Sequence, residues 1–408
     1  MKPTDDTPGA EARARIAGPF PATTHSRRLS QRAVLQEIVA VGPVSRAEIA
    51  RRTGLSKQTT SEVMRDLLED DWVREVGLQR GQIGRSATNY ELNGERAYVW
   101  GGDLGGTNLR VAFADLSGTL VAEGAEPTDP AGGQAVVDQI VRLIRTLARD
   151  HDLPAERIFC GGLGVPGAFD RTNGRLSLVS NLAGLDRLNL EAALGTALDM
   201  PVFVENDVTL AAKGEIWQGK PRETETFAFL AMGTGVGLGL VSDGHIVRGA
   251  HGAAGEIAWL PIAGDPFDSR NHRTGTLETA ISSAAILERY RAAGGAADIT
   301  MIGLFDRLAD GCPKAAYVLG EVARALAAAI VAIRALFDPE VVIFGGSIGA
   351  RPELLDLVRK ALEGCMPDPV ALEPSCLGNR AGQMGAISMA LDHFRDTLFG
   401  DLRSSVPV

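Results

Sequence analysis

The sequence is short of cysteine. Four stand in 408 residues, at Cys160, Cys312, Cys365 and Cys376, and no two form a Cys-x-x-Cys pair. That scatter argues against a disulfide framework and a structural zinc site, and it fits a reducing compartment. A run of about 18 apolar residues is also missing, so no segment reads as a membrane span. The first 25 residues have no apolar core of the kind a secretory signal needs, and their proline, glycine, alanine and charge read as a disordered tail. The expectation is a cytoplasmic protein without a membrane partner. Glycine, by contrast, is plentiful. Its 48 residues gather in short motifs without a repeat, which suggests tight loops rather than a fibrous chain.

A chain of 408 residues should hold two or three globular units. With 45% hydrophobic and 23% charged residues it can bury a sizeable core. The net charge of −10 argues against a nucleic-acid binder until it is divided. Between Arg27 and Tyr90 stand eleven Lys/Arg and eight Asp/Glu, a net +3, so the remainder carries −13. A mildly basic module sits on an acidic body.

In that module, SQRAVLQEIVAVG from Ser30 places Val34, Leu35 and Ile38 at helical spacing, and Gly42-Pro43 stops the helix. Ser45 is a good N-cap for SRAEIARRTGLS, with Glu48 three residues on to complete a capping box. Gly54 permits a sharp turn, and Ser56 caps a third helix whose inner face is Val63, Met64, Leu67 and Leu68. Its first turn presents Lys57, Gln58, Thr59 and Thr60. Short amide and hydroxyl groups there suit base edges in a major groove, Lys57 suits a phosphate, and Arg65 further along suits the DNA backbone. The stretch after Trp72 reads as two strands around a glycine-rich tip bearing Arg80 and Arg85, the wing of a winged helix-turn-helix. A small protein-docking module would share the bare helical spacing. The cap, turn glycine, polar face and basic wing, in that order, favour DNA.

From Tyr98 the texture changes. Asp103, Gly105, Gly106 and Thr107 form a glycine turn between apolar runs, where backbone N–H groups and a hydroxyl can approach an anion, though ordinary β-turns use the same residues. Further glycine turns occur at Gly164 to Gly167, at Gly233, Thr234 and Gly235, and at Gly345 and Gly346. Such turns at the ends of several strands suggest two α/β lobes facing one cleft. In FVENDVTLAAKGE, Asp207 sits where a strand ends and a helix begins. A carboxylate there can take a proton from an attacking hydroxyl, or can simply cap the helix.

The motifs DLGGTNLR, GVPG, ENDVTLAAKGE, GTGVG, AAGEI, TGTLET and FGGSIG, in this order, resemble the ROK family of sugar kinases and repressors, over residues 98–399. The resemblance implies an α/β, two-lobed, actin-like fold of the sugar kinase/RNase H-like type, following the winged helix-turn-helix. It implies a sugar between the lobes, held by Asn206, Asp207, Glu256 and Glu278, with Asn181 also in reach. Asp207 matches the kinases' catalytic base. Asp103, Gly105, Gly106 and Thr107 match one phosphate turn, Gly233, Thr234 and Gly235 a second, and Gly345 and Gly346 the nucleotide-side turn.

Two departures matter. The family's zinc-binding histidine and cysteines are replaced, with Trp259 where the histidine belongs and Thr276 where the last cysteine belongs. His272 alone cannot make a tetrahedral site, so no structural zinc is expected. Trp259 would stack on a pyranose face or fill the lost volume. Second, many DNA-binding members have eroded phosphate turns, whereas DLGGT and the ENDV aspartate are intact here. ATP with Mg is left open, and no cofactor is required. The expected function is a sugar-responsive transcriptional regulator, a repressor of carbohydrate metabolism genes acting on operator DNA as a homodimer or homotetramer. The alternative is an ATP-dependent sugar kinase. The expected organisation is a tail over residues 1–25, the DNA-binding unit over 26–95, a first lobe over 96–210 and a second over 211–380. A helix over 381–400 returns to the first lobe or forms a dimer contact.

Overall fold

The computed structural model describes residues 25–79, 87–170, 174–177, 182–219 and 224–399. Its N-terminal part is helix α1 (His25–Val41), strand β1 (Val44–Ser45), helices α2 (Arg46–Thr53) and α3 (Lys57–Glu69), and strands β2 (Val73–Gln79) and β3 (Ala87–Leu92). The strands form an antiparallel sheet in the order β1-β3-β2. Val34, Leu35 and Ile38 of α1 pack with Ile49, Val63, Met64 and Leu67, all buried, so the helical periodicity sets the core of this winged helix. Gly54 has φ +71°, the left-handed conformation that glycine adopts without cost, and it ends α2 and turns the chain into α3. Ser56 Oγ accepts from the Thr59 N–H at 3.1 Å. Ser45 Oγ likewise accepts from the Glu48 N–H at 3.3 Å, but the Glu48 carboxylate turns to Arg51 at 2.8 Å. The expected capping box is therefore only half made, because a cation three residues on competes for the carboxylate. Helix α1 begins at His25, five residues before the expected Ser30.

The body holds two five-stranded sheets. The first contains β4 (Tyr98–Leu104), β5 (Asn108–Asp115), β6 (Leu120–Pro127), β7 (Ile158–Val165) and, beyond the short hairpin of β8 (Ala168–Asp170) and β9 (Arg175–Ser177), β10 (Val202–Asn206). The second contains β11 (Phe227–Met232), β12 (Val236–Ser242), β13 (His245–Val247), β14 (Val341–Gly345) and β15 (Ala371–Pro374). The orders are β10-β7-β4-β5-β6 and β13-β12-β11-β14-β15. Each sheet has its own first strand in the middle, two antiparallel neighbours on one side and two parallel strands on the other. The same topology therefore occurs twice, although the sequence shows no repeat.

Helices α4 (Gly133–Asp150) and α5 (Leu190–Leu198) serve the first sheet, and α6 (Asp207–Gln218) lies between the two. Helices α7 (Thr276–Ile281), α8 (Ser283–Ala292), α9 (Met301–Ala309), α10 (Pro313–Phe337), α11 (Gly346–Gly349) and α12 (Pro352–Glu363) serve the second. By length and composition α10 is apolar enough to cross a membrane, which the search for an unbroken apolar run did not reveal. Its inner face, including Leu319, Leu326 and Ile330, is buried in the second lobe's core.

The last helix, α13 (Ala381–Phe399), returns to the first sheet and packs along β4, β7 and α6. The approach is close. A Cβ at Gly162 would sit 2.4 Å from the Ala386 carbonyl, and one at Gly385 only 1.7 Å from the Leu210 carbonyl of α6. Glycine lets these backbones touch. At its far end Phe394 meets Phe159 edge-on at 4.8 Å and stacks on Trp72 of the winged helix at 6.2 Å. The core of the winged helix and one face of the first sheet are thus a single apolar cluster. Full burial of the Phe394 ring contributes about 1.5–3 kcal/mol to it. With so much of α13 buried inside its own chain, little of it is left to face a second copy.

Candidate functional site

On α3, Lys57, Gln58 and Arg65 are exposed and share one face with Ser61 and Glu62, which the sequence reading passed over. Gln58 Nε2 donates to Glu62 at 3.1 Å. Thr59 is half-buried, its hydroxyl bonded to Ser56 Oγ at 2.8 Å. Thr60 is a correction. At 1% exposure it lies inside, in line with Val63, Met64 and Leu67, and cannot reach a base. The period of 3.6 residues turns position 60 toward the core. Arg80 and Arg85 lie outside the described residues, as does Asn181.

Between the sheets lies a cleft of about 450 Å³. Gly105, Gly106 and Thr107 form the turn between β4 and β5, and Gly233, Thr234 and Gly235 the turn between β11 and β12. These are matching positions in the repeated topology, so the duplication brings two anion-type turns to one cleft. Asp103, Asn206, Asp207, Glu256, Trp259, Glu278 and Gly346 also line it. Gly345 does not. It ends β14 with the Phe229 ring in the place of its side chain, and the lining falls to Gly346 and Ser347. Arg110, the last residue of the DLGGTNLR motif, lines the cleft too, as do Arg273 and Asn379, which no pattern in the sequence marked.

The helix-capping alternative for Asp207 is resolved by its neighbour. Asn206 is the cap: its Oδ1 accepts from the Thr209 N–H at 2.8 Å, and its Nδ2 donates to the Gly167 carbonyl at 3.0 Å. Asn206 thereby ties the strand end to the Gly164 to Gly167 turn. Asp207 stands one residue further on, its carboxylate accepting from the Val208 N–H at 2.8 Å and facing the cleft. Burial, and then the charge of Asp103, push its pKa up to about 8. Burial pushes Asp103 up to about 6, tempered by the Arg110 guanidinium 3.9 Å away. Glu256 is also raised, by burial and by Glu278. Near pH 7 Asp207 is mostly protonated, so it can donate as well as accept. Glu278 accepts from the Val236 N–H at 3.0 Å, which fixes the 233–235 turn against it. Such a set of acids suits a neutral polyol, whose hydroxyls both donate and accept.

The glycine turns and Ser347 suit a polyphosphate. No cluster of three His, Cys, Asp or Glu side chains suited to a metal occurs among the described residues. Magnesium commonly binds through one or two carboxylates plus substrate phosphates, and Asp103 is placed for that role. In the segment where the family binds zinc, Thr276 is buried at the start of α7, Trp259 is 40% exposed on the cleft and His272 is exposed. Asn271 Nδ2 closes that loop by donating to the Asp265 carbonyl at 2.8 Å.

A further pair escaped the sequence reading. Glu205, buried at the edge of the first sheet, is held at 2.7 Å by Arg248, which follows β13 at the edge of the second. It is an ion pair between the lobes.

Comparison with known proteins gives matches to both parts. The ROK family model matches residues 99–393, and the MarR family model matches residues 27–81. The xylose repressor of Bacillus subtilis (strain 168) is 25% identical over 390 residues, covering 92% of this chain and 98% of that protein. A solved ROK family transcriptional regulator, a homolog of the E. coli MLC protein, has a TM-score of 0.72 at 24% identity and covers 92% of this chain and 98% of its own. A ROK family glucokinase from Streptomyces griseus, solved with glucose and AMPPNP, has a TM-score of 0.62 at 25% identity, covering 72% of this chain and 100% of its own.

Proposed function

The chain belongs to the ROK family, and from that premise we propose that it is a sugar-responsive DNA-binding transcriptional regulator, a repressor of carbohydrate metabolism genes. One observation carries the reading: helix α13 serves both working parts. Its first residues, Ala381 and Gly382, line the cleft, and Phe394 near its other end seats Trp72 of the winged helix. Lys213 of α6 pairs with Asp392 of α13 at 2.7 Å, so the helix that begins with Asp207 is tied to the helix that reaches the DNA module. The likeness to a xylose repressor supports the same reading.

A sugar in the cleft bonds to Asn206, Asp207, Glu256 and Glu278, with Trp259 against its ring, and Asn181, outside the described residues, is assigned to the same sugar on the family resemblance alone. Closure of the lobes moves α6 and α13 together and re-aims the winged helix. An affinity ratio of about 100 between the two conformers shifts operator binding by about 2.7 kcal/mol. Gln58 and Thr59 read bases, while Lys57, Arg65, Arg80 and Arg85 meet the backbone. In a homodimer or homotetramer, paired modules reach half-sites about 34–36 Å apart. On this reading the DNA-binding unit spans residues 26–95 behind a tail over 1–25. The first lobe spans 96–210 with the helix over 381–400, and the second 211–380. The protein works in the cytoplasm with no required cofactor and no structural zinc.

Footprinting on the DNA upstream of its own gene, at fixed salt, tests this with a sugar panel led by xylose and glucose. A protected palindrome that one sugar releases is the expected result. No protection under any condition would sink the reading.

One observation favours a second activity in the same cleft. Because Asn206 does the capping, the ionised fraction of Asp207, small near pH 7 and growing as pH rises toward 8, remains available as a base for a sugar hydroxyl, and ATP bound at the glycine turns would supply the phosphoryl group. ATP-dependent sugar phosphorylation lost in Asp207→Asn, with operator binding kept, is the expected outcome. Absence of turnover in the parent protein removes this reading.

A further inference from the structure

Glu205 and Arg248 join the strands that lead into the two halves of the sugar site. Glu205 is the penultimate residue of β10, at the edge of the first sheet, and Asn206 and Asp207 follow it. Arg248 leaves β13, at the edge of the second sheet, and opens the loop that ends on Glu256. Glu205 is 2% exposed, and both its carboxylate oxygens are engaged. Oε2 accepts from Arg248 Nε at 2.7 Å, and Oε1 accepts from the Asn206 backbone N–H at 3.2 Å.

The loop after Arg248 is closed on itself. The Arg248 carbonyl accepts from the Ala254 N–H at 3.1 Å, and the Ala253 carbonyl accepts from the Glu256 N–H at 3.3 Å. Between them Gly252 meets the other lobe, where a Cβ would stand 2.4 Å from the Phe169 carbonyl of β8. A short path of bonds thus runs from Asn206 through Glu205, Arg248 and the 253–254 peptide to Glu256. Stability does not account for such a pair, because desolvation of a buried carboxylate offsets most of the attraction. Geometry does, since a guanidinium is planar and fixes the direction of its partner.

We propose that Glu205 and Arg248 are positioning residues for the sugar site. They brace one edge of the cleft, holding Asn206 and Asp207 of the first lobe at a set spacing from Glu256 of the second before any sugar arrives. Closure then turns about this braced edge instead of assembling the sugar contacts from two loose lobes. The brace rests on the sugar-site reading above. Its main test uses neither sugar nor DNA, so a failure of sugar binding and a failure of the brace are seen separately.

Hydrogen–deuterium exchange of the full chain, read by mass spectrometry, is the measurement. In Arg248→Ala exchange should rise wherever the stranded Glu205 charge lowers stability, and most at residues 249–256 and 167–170, which face each other between the lobes. Adding Glu205→Gln removes that charge. Strands β4 and β11 should then return toward the parent's rates, while the two facing segments stay on the order of 10-fold faster. Arg248→Lys keeps the charge without the planar fork and should restore part of their protection. Facing segments no faster than the parent's in the double variant overturn the proposal. So does a rise no larger there than in β4 and β11, because it marks a role in stability alone. Where xylose or glucose binds the parent, the double variant should bind it about 10-fold more weakly, and equal affinity overturns the positioning role.

Discussion

Thr60 and Asp207 show how one position along a helix decides a side chain's role. The Thr60 hydroxyl is buried without a hydrogen-bond partner among the described residues. Thr60→Val keeps the shape and removes the unsatisfied oxygen, so it should stabilise the winged helix by about 1–3 kcal/mol in urea unfolding. Operator affinity should not change, and a loss would return Thr60 to the DNA face. At Asp207 the folded protein favours the neutral acid, its pKa raised from 3.8 to about 8. The stability this contributes is complete below about pH 4 and is lost as pH rises toward 8. Asp207→Asn cannot ionise. Its melting temperature should therefore gain on the parent steadily from pH 5 to pH 8.5, and a constant difference across that range would contradict the raised pKa.

At the scale of elements, α13 carries the argument. Phe394→Ala should cost about 3–5 kcal/mol, as deletion of a buried ring does. Phe394→Leu is the more informative change. It leaves the cleft and α3 untouched but loosens the seat of Trp72, so sugar affinity and sugar-free operator affinity should hold while the shift in operator affinity caused by sugar shrinks. An undiminished shift in a binding titration would exclude α13 as the route. Much at this scale was legible in the sequence. Helix periodicity exposed the Val34, Leu35 and Ile38 face, Gly54 marked its turn, and the glycine motifs marked the cleft. Thr60 was legible too, three residues before Val63 on the same stripe, but its polar side chain outweighed its phase. What could not be read were side chains from unremarkable segments that only the tertiary fold brings together, such as Arg273 in a turn and Asn379 in a short 3-10 helix. The contact of Phe394 with Trp72 spans most of the chain, and no local pattern encodes it.

For the whole molecule, the repeated sheet topology was invisible because the two halves share strand order and not sequence. The Glu205–Arg248 pair spans these halves with one partner deeply buried. Such a pair adds little net stability, yet removing one member strands a buried charge, a cost of about 3–5 kcal/mol. Arg248→Ala should lower the unfolding midpoint accordingly, and adding Glu205→Gln should recover part of the loss. A double variant as unstable as the single would show that the cost lies in packing rather than charge.

The path of α13 also sets an order of synthesis. The first sheet's strands β4 and β7 leave the ribosome long before the helix that covers them. Roughly two hundred residues intervene, which at 5–20 residues per second is about 10–40 s. Through that interval one face of the sheet is bare, and Trp72 lacks its contact with Phe394. The second lobe, whose strands and helices lie between, can close first. The nascent chain thus completes its oldest part last, and the DNA-reading module gains its seat only when Phe394 emerges.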